Sequence, residues 1–361
     1  VFITMVAGGF IKMNVKILSQ NLPVLYVMAF LCTACTPSSQ PELRGFNFLQ
    51  HSHAAFDSEA ACRSLEQLKD TGANSIVLVP FLEQDDPQST QVRFSHAVTD
   101  EQVIAAIKIA SRYNLHRILK PQLLIKDSWA GAVRQEDPDQ EAAWFKSYEK
   151  HLLHYARIAE TYGVEALVIG TELEGLRGST HWPTLIRKVR SVFSGKLTYA
   201  ANGVEGVESF LYWNLLDHIG VTLYPDLSND LIESDNKITY SIVDQLQRLA
   251  EKNHRSVWIL EVGIPSAKGW EAHPWDWRRL ASTSPLPDQK IQAKIIHQWL
   301  TASAKPGING IWIWQWTSLP EAGGENDISY TVQNKITQKI VQQLWQTPVT
   351  LLAGMFRECT I

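Results

Sequence analysis

From residue 44 to residue 345, short apolar runs of strand length alternate with longer stretches in which apolar residues recur every three to four positions. The short runs predict strands over Arg44–Gln50, Ser75–Phe81, Arg117–Ile125, Glu165–Leu173, Lys196–Ala201, His218–Tyr224, Ser256–Val262 and Gly310–Trp316. Between them the 3.6-residue period predicts helices over Ser58–Thr71, Asp100–Tyr113, Gln140–Tyr162, Thr184–Phe193, Ile242–Lys252 and Lys290–Ser303, a shorter one over 206–217, and a closing one over Val332–Trp345. Strand then helix, repeated eight times, implies parallel strands joined by right-handed crossovers. Eight such units match a closed (β/α)₈ TIM barrel, an α/β fold in a single domain over 41–346, and closure removes the unpaired edges that an open sheet would leave. A doubly wound open sheet competes, but no GxGxxG or phosphate-binding loop follows the first strand.

Connection lengths add an independent signal. Helix-to-strand links are short (71–74, 162–164, 194–195), whereas the strand-to-helix links 126–139, 225–239, 263–289 and 317–331 are long. Barrel enzymes build their sites from strand-to-helix loops at the C-terminal face, so the elaborated side is the side where chemistry is expected.

Two carboxylates stand out against this frame. Glu172 closes the apolar run Ala166-Leu-Val-Ile-Gly-Thr-Glu172 on the fourth strand, and Glu261 closes Ser256-Val-Trp-Ile-Leu-Glu261 on the seventh. Period-two alternation places Val168, Gly170 and Glu172 on one face, and Val257, Ile259 and Glu261 on one face, so inward faces would aim both acids into the barrel mouth. A buried carboxylate without a partner or a task is costly. Carboxyl groups about 5–5.5 Å apart across the mouth would suit double displacement at a glycosidic bond, one acting as acid/base and one as nucleophile.

The positions of these glutamates are similar to those of clan A retaining glycosidases. Within that clan, Gly170-Thr-Glu-Leu-Glu174, Glu261-Val-Gly263 and Trp312-Ile-Trp-Gln-Trp316 resemble glycoside hydrolase family 113, and the resemblance spans about residues 44–345. It implies an endo-acting β-1,4-mannanase with a polysaccharide or oligosaccharide substrate, Glu172 as general acid/base and Glu261 as nucleophile. Thr171 departs from the clan pattern, in which an Asn contacts the sugar 2-hydroxyl; Asn202, ending the fifth strand, is the substitute candidate.

Further substrate-binding candidates follow from position. Tyr224 ends the sixth strand and could orient Glu261 through its hydroxyl. Trp312, Trp314 and Trp316 share a strand face, and Trp316, nearest the mouth, is the expected sugar platform. Lys120 and Gln122 on the third strand have the parity and polarity to reach sugar hydroxyls or, equally, to serve structural roles, and Trp129, Trp270, Trp275 and Trp277 lie on loops that could carry subsites or simply anchor the loops.

Composition changes the picture in three places. Eight of the thirteen Trp fall between 258 and 316, a local excess of flat aromatic surface. A net charge of −4 provides no basic face for nucleic acid. The cysteines, Cys32, Cys35, Cys62 and Cys359, form no disulfide framework or zinc set. Cys32 and Cys35 instead close an apolar run, Leu22–Leu31, that follows Lys16, so residues 1–40 read as a signal or lipoprotein leader and linker, with Met13 a natural start. Two outcomes stay open there: lipidation of Cys35 with membrane attachment in the cell envelope, or cleavage nearby and secretion. Residues 347–361 read as a peripheral tail. No cofactor or metal is implied. The competing functions are a carbohydrate-binding barrel without catalysis and a metal-dependent amidohydrolase, suggested by His51-Ser-His53 after the first strand. The latter lacks further ligands, since strands five, six and eight end in Asn202, Tyr224 and Trp316.

Overall fold

A computed structural model of the chain describes residues 40–228 and 237–346. Apart from Gln40, the expected leader, including Cys32 and Cys35, lies outside the described residues, as do the tail 347–361 with Cys359 and positions 229–236 of the sixth strand-to-helix link.

Eight parallel strands close into a barrel: β1 (Leu43–Leu49), β2 (Ser75–Leu78), β5 (His116–Leu119), β7 (Ala166–Thr171), β8 (Lys196–Asn202), β9 (Ile219–Leu223), β10 (Val257–Val262) and β11 (Ile308–Thr317). Each predicted strand run overlaps one of them. Two apolar shells hold the cylinder. Inside it lie Val77, Ile118, Ala166, Val168, Ala200, Trp258, Leu260 and Trp312. A larger shell, with Phe46, Ile76, Leu119, Ile169, Val221 and Ile259, fills the space between strands and helices.

The helices form where apolar stripes and capping residues coincide. Glu59–Asp70 starts at Ser58, whose hydroxyl accepts from the Ala61 N–H at 3.2 Å, and buries Ala61, Leu65 and Leu68. Asp100–Arg112 opens on a capping box between Thr99 and Gln102. Pro138–Thr161 begins with proline in its first turn, where no donor is lost, behind the Asp137 carboxylate cap.

Three departures from the sequence pattern shape the mouth. The second and third strand runs break at Pro80 and Pro121, which face each other across the pair and donate no backbone hydrogen bond. The strands resume in unchanged register, Leu78 opposite Leu119 and Phe81 opposite Gln122, as β3 (Phe81–Gln84) and β6 (Gln122–Ile125). With β4 (Arg93–Phe94) antiparallel to β3, they form a separate three-stranded sheet beyond the barrel rim. The long seventh link contains an unpredicted helix, Trp277–Ser282, capped by Asp276. The closing helix starts at Ile336, not Val332, because the buried Gln333 side chain is committed to Thr317 and the Leu319 carbonyl.

Strand contact is close enough at Gly45 to forbid a side chain: a Cβ there would meet the Ser75 carbonyl oxygen at 1.8 Å. Gly45→Ala is expected to cost about 1–3 kcal/mol by forcing β1 from β2. Thermal unfolding followed by circular dichroism checks this, and an unchanged melting temperature would contradict the close packing.

Candidate active site

Glu261 reaches the mouth through an irregularity. On β10, Val257 and Ile259 belong to the shell under the helices, while Trp258 and Leu260 fill the barrel. Strict alternation would therefore turn Glu261 outward. Instead the pairing to β9 slips between Ile259 and Glu261, and that to β11 between Ile259 and Val262. The bulge resets the alternation and brings Glu261 inside. The expected shared face of Val257, Ile259 and Glu261 is thus corrected: the acid faces the mouth and the other two do not.

Glu172 follows a parallel course. Val168 points into the barrel, but a Cβ on Gly170 would meet Trp182, Leu173 and Tyr199 at 3.0–3.1 Å, in the helix shell. Pairing to β8 slips between Val168 and Thr171, and Glu172 itself takes a left-handed φ of 54°. Such a conformation costs a non-glycine residue about 1–2 kcal/mol and persists only where surroundings fix it. Here the Glu172 N–H donates to the Ala200 carbonyl at 2.8 Å, and the Thr222 hydroxyl donates to the carboxylate at 2.6 Å. Of the expected common face, Val168 and Glu172 keep the inward direction and Gly170 alone is corrected.

The two acids have different surroundings. Glu261 is 4% exposed; the Lys120 ammonium contacts one carboxylate oxygen, and the Tyr224 hydroxyl donates to the other at 2.9 Å. Burial, and after it the negative charge of Glu261, pushes the Glu172 carboxyl up to about 7, with Thr222 and Lys120 pulling the other way. One carboxyl therefore keeps its proton near neutrality beside another that is held by a cation.

A cleft in two connected parts covers this pair. A cavity of about 880 Å³ is lined by Glu172, Glu261, Tyr224, Asn202, Trp314 and Tyr330, among others. A second, of about 510 Å³, includes Glu172 and Thr171 but not Glu261, and continues along Glu83, Gln84 and Arg93 of the outer sheet. Gln122, Trp129, Trp277 and Arg278 border both. Arg278 donates to the Ser128 carbonyl, which ties the seventh loop to the third.

The other candidates divide. Asn202 lines the larger cavity and donates to Glu174 at 2.8 Å. Gln122 lines both parts, and its carbonyl oxygen is buried without a protein partner. Trp129, Trp275 and Trp277 are 45–56% exposed at the cleft, whereas Trp270 is buried under Arg279 as a loop anchor. Two expectations are corrected. Trp316 is fully buried in the helix shell, 4.9 Å from the Phe46 ring, with its N–H on Ser64 at 2.9 Å. The pairing of β1 to β11 slips between Ile313 and Trp316, so the indole at the cleft is Trp314. Lys120 is also fully buried and does not line the cleft, because it is the last residue before the bend at Pro121 and points into the cylinder toward Glu261.

Thr222 was not singled out, although a signal existed. On β9, which keeps strict alternation, Val221 lies in the helix shell and Thr222 shares the inward parity of Tyr224. Arg278 had no such signal, since its place depends on how a long loop folds back. His51 and His53 occupy the turn after β1, with the His53 N–H on the His51 ring at 3.2 Å. Among the described residues no three His, Cys, Asp or Glu side chains gather as a metal set, and Cys62 lies beside the Tyr113 hydroxyl.

A parallel barrel with two differently held carboxylates over an aromatic cleft defines a class, the barrel enzymes that hydrolyse glycosidic bonds. The profile of Glycoside Hydrolase Family 113 matches residues 45–335, and the chain belongs to that family. No curated protein matches it in sequence. Among solved structures it is similar to a family 113 β-1,4-mannanase determined as a complex, at 24% identity and a TM-score of 0.75, covering 86% of this chain and 100% of that one. The family 113 β-mannanase from Alicyclobacillus acidocaldarius, in complex with ManMIm, is 25% identical with a TM-score of 0.74 over 86% and 99% of the two chains. A β-glucuronidase from Ruminococcus gnavus shares the fold more distantly, at 13% identity and a TM-score of 0.57 over 85% of this chain and 50% of that one.

The raised Glu172 value has a consequence for stability. Below the ordinary carboxylate value, about 4.3, the carboxyl is protonated in both folded and unfolded chains. Between there and about 7 only the folded protein keeps the proton, so stability falls as pH rises through that window and levels off above it. Glu172→Gln removes this dependence. Its melting temperature relative to the wild type is expected to climb from pH 5 to pH 8, and a constant difference would contradict the raised value.

Proposed function

We propose that the chain is a retaining, endo-acting β-1,4-mannanase with Glu172 as acid/base and Glu261 as nucleophile. The observation that carries this reading is the contrast between the two acids: Glu172 is held protonated near neutrality, while Glu261 has Lys120 and Tyr224 on its two oxygens. Such divergence is how one site supplies both an acid and a nucleophile at one pH. The mannan preference rests on the family and on the two β-mannanase structures, which the chain resembles over almost their entire length.

The sugar whose anomeric carbon is attacked sits in the larger part of the cleft, against Glu261 and Trp314. The smaller part touches Glu172 but not Glu261, so it receives the leaving portion of the chain, whose oxygen takes the Glu172 proton. Room on both sides of the broken bond suits internal cleavage of a polymer. Asn202, oriented by Glu174, is the 2-hydroxyl contact in this reading.

The test is a panel of mannan, glucan and xylan with the wild type, Glu172→Gln and Glu261→Gln. Both variants are expected to lose at least three orders of magnitude in kcat/KM on mannan, corresponding to about 4 kcal/mol of transition-state stabilisation. Azide should rescue a Glu172→Gly enzyme to a β-glycosyl azide and a Glu261→Gly enzyme to the α-azide. NMR of the first-formed product should show the β-anomer. Near-normal turnover in either Gln variant, or the α-anomer as first product, would end this reading.

The tryptophans offer a second check. Trp314→Ala is expected to raise KM about tenfold through loss of a stacking platform, beyond whatever stability its partly buried ring contributes. Trp316→Phe should lower stability by about 1–3 kcal/mol through loss of buried packing and the Ser64 bond, with KM unchanged. The opposite pattern would return Trp316 to the site.

A further inference from the structure

Lys120 holds the nucleophile of the retaining reading above, and a role for it in turnover rests on that reading. Its side chain is fully buried, its ammonium contacts a Glu261 oxygen, and the Trp314 ring lies 5.0 Å away. An ammonium so enclosed keeps its proton only beside an anion. The groups that act on it come from several strands: Glu261 from β10 and, more weakly, Glu172 from the end of β7. Around those two acids stand Thr222 from β9, Tyr224 just after it and Glu174 beyond β7. Burial pulls the Lys120 value down, while Glu261 and then Glu172 push it back up.

The geometry points to Lys120 as a positioning residue that serves as the fixed counter-charge for a negative charge moving between the two carboxylates during turnover. At rest Glu261 carries that charge and Glu172 is neutral. In the first step a Glu261 oxygen bonds to the anomeric carbon, the bond to the leaving oxygen breaks, and that oxygen takes the Glu172 proton. Glu261 is now a neutral ester and Glu172 an anion. In the second step water bonds to the anomeric carbon, its proton passes to Glu172, and the ester bond breaks to restore the Glu261 carboxylate. The sum over Lys120, Glu261 and Glu172 is zero in each state, so the buried site never holds a net charge. With a neutral residue at 120 the sum would be −1 throughout, and each carboxylate would hold protons more tightly.

Lys120→Met, close to the lysine stem in shape, tests this. Its kcat/KM on mannan is expected to fall at least a hundredfold, and both the acidic and the basic limbs of its pH profile should move up by about one unit. A packing or hydroxyl-binding role would change KM or stability and leave the limbs in place, which would overturn the proposal. Thermal unfolding supplies a readout independent of activity. Lys120→Met should melt below the wild type at pH 8, and adding Glu261→Gln should recover most of the loss, because it removes the stranded anion. A loss that persists in the Glu261→Gln background would overturn the ion-pair basis. Failure of the retaining reading is seen separately, as turnover surviving Glu172→Gln or Glu261→Gln, whereas failure of the counter-charge alone leaves those variants dead and the limbs unmoved.

Discussion

Placing two carboxylates at one end of a closed apolar cylinder sets the electrostatic problem that the rest of the site answers. Partly withdrawn from water, both cannot ionise freely, since each raises the cost of charge on the other. The structure separates them by giving Glu261 a buried cation and a phenol, and Glu172 a threonine hydroxyl at the end of an apolar strand. The proton accordingly rests on Glu172. Lys120, Thr222 and Tyr224 all project from barrel strands or their ends, so the scaffold that closes the sheet also fixes the charges.

The same site depends on breaks in regularity. β9 keeps strict alternation and delivers Thr222 and Tyr224 inward. β7, β10 and β11 each slip register near the mouth: Gly170 leaves the inward face that Val168 and Glu172 share, Glu261 turns inward after Ile259, and Trp316 leaves the face that Trp312 and Trp314 share for the helix shell. Bulges at barrel rims re-aim side chains that a regular strand would bury on the wrong face. The positive φ of Glu172 belongs to the same pattern of local irregularity at the cleft.

Above the rim, the prolines at 80 and 121 convert two barrel strands into the start of a second sheet. Its residues Glu83, Gln84 and Arg93 carry the cleft past Glu172, and the seventh loop meets it through Trp277 and Arg278. The cleft therefore has polar residues of the outer sheet and exposed indoles of the loops arranged around Glu172.

The chain order of apolar runs and helical stripes determined the barrel by itself, because the periods of 2 and 3.6 report which residues must leave water. It also picked out Glu172 and Glu261, since an acid ending an apolar run is conspicuous in one dimension. Which way each side chain turned was decided by the tertiary structure. Period-two counting fails across a bulge, and a bulge arises from pairing with strands distant in sequence, so Trp314 could not be told from Trp316 along the chain. Lys120 gave the same difficulty: its polarity was visible, but burial against Glu261 across the cylinder, 141 residues away, exists only once the barrel has closed.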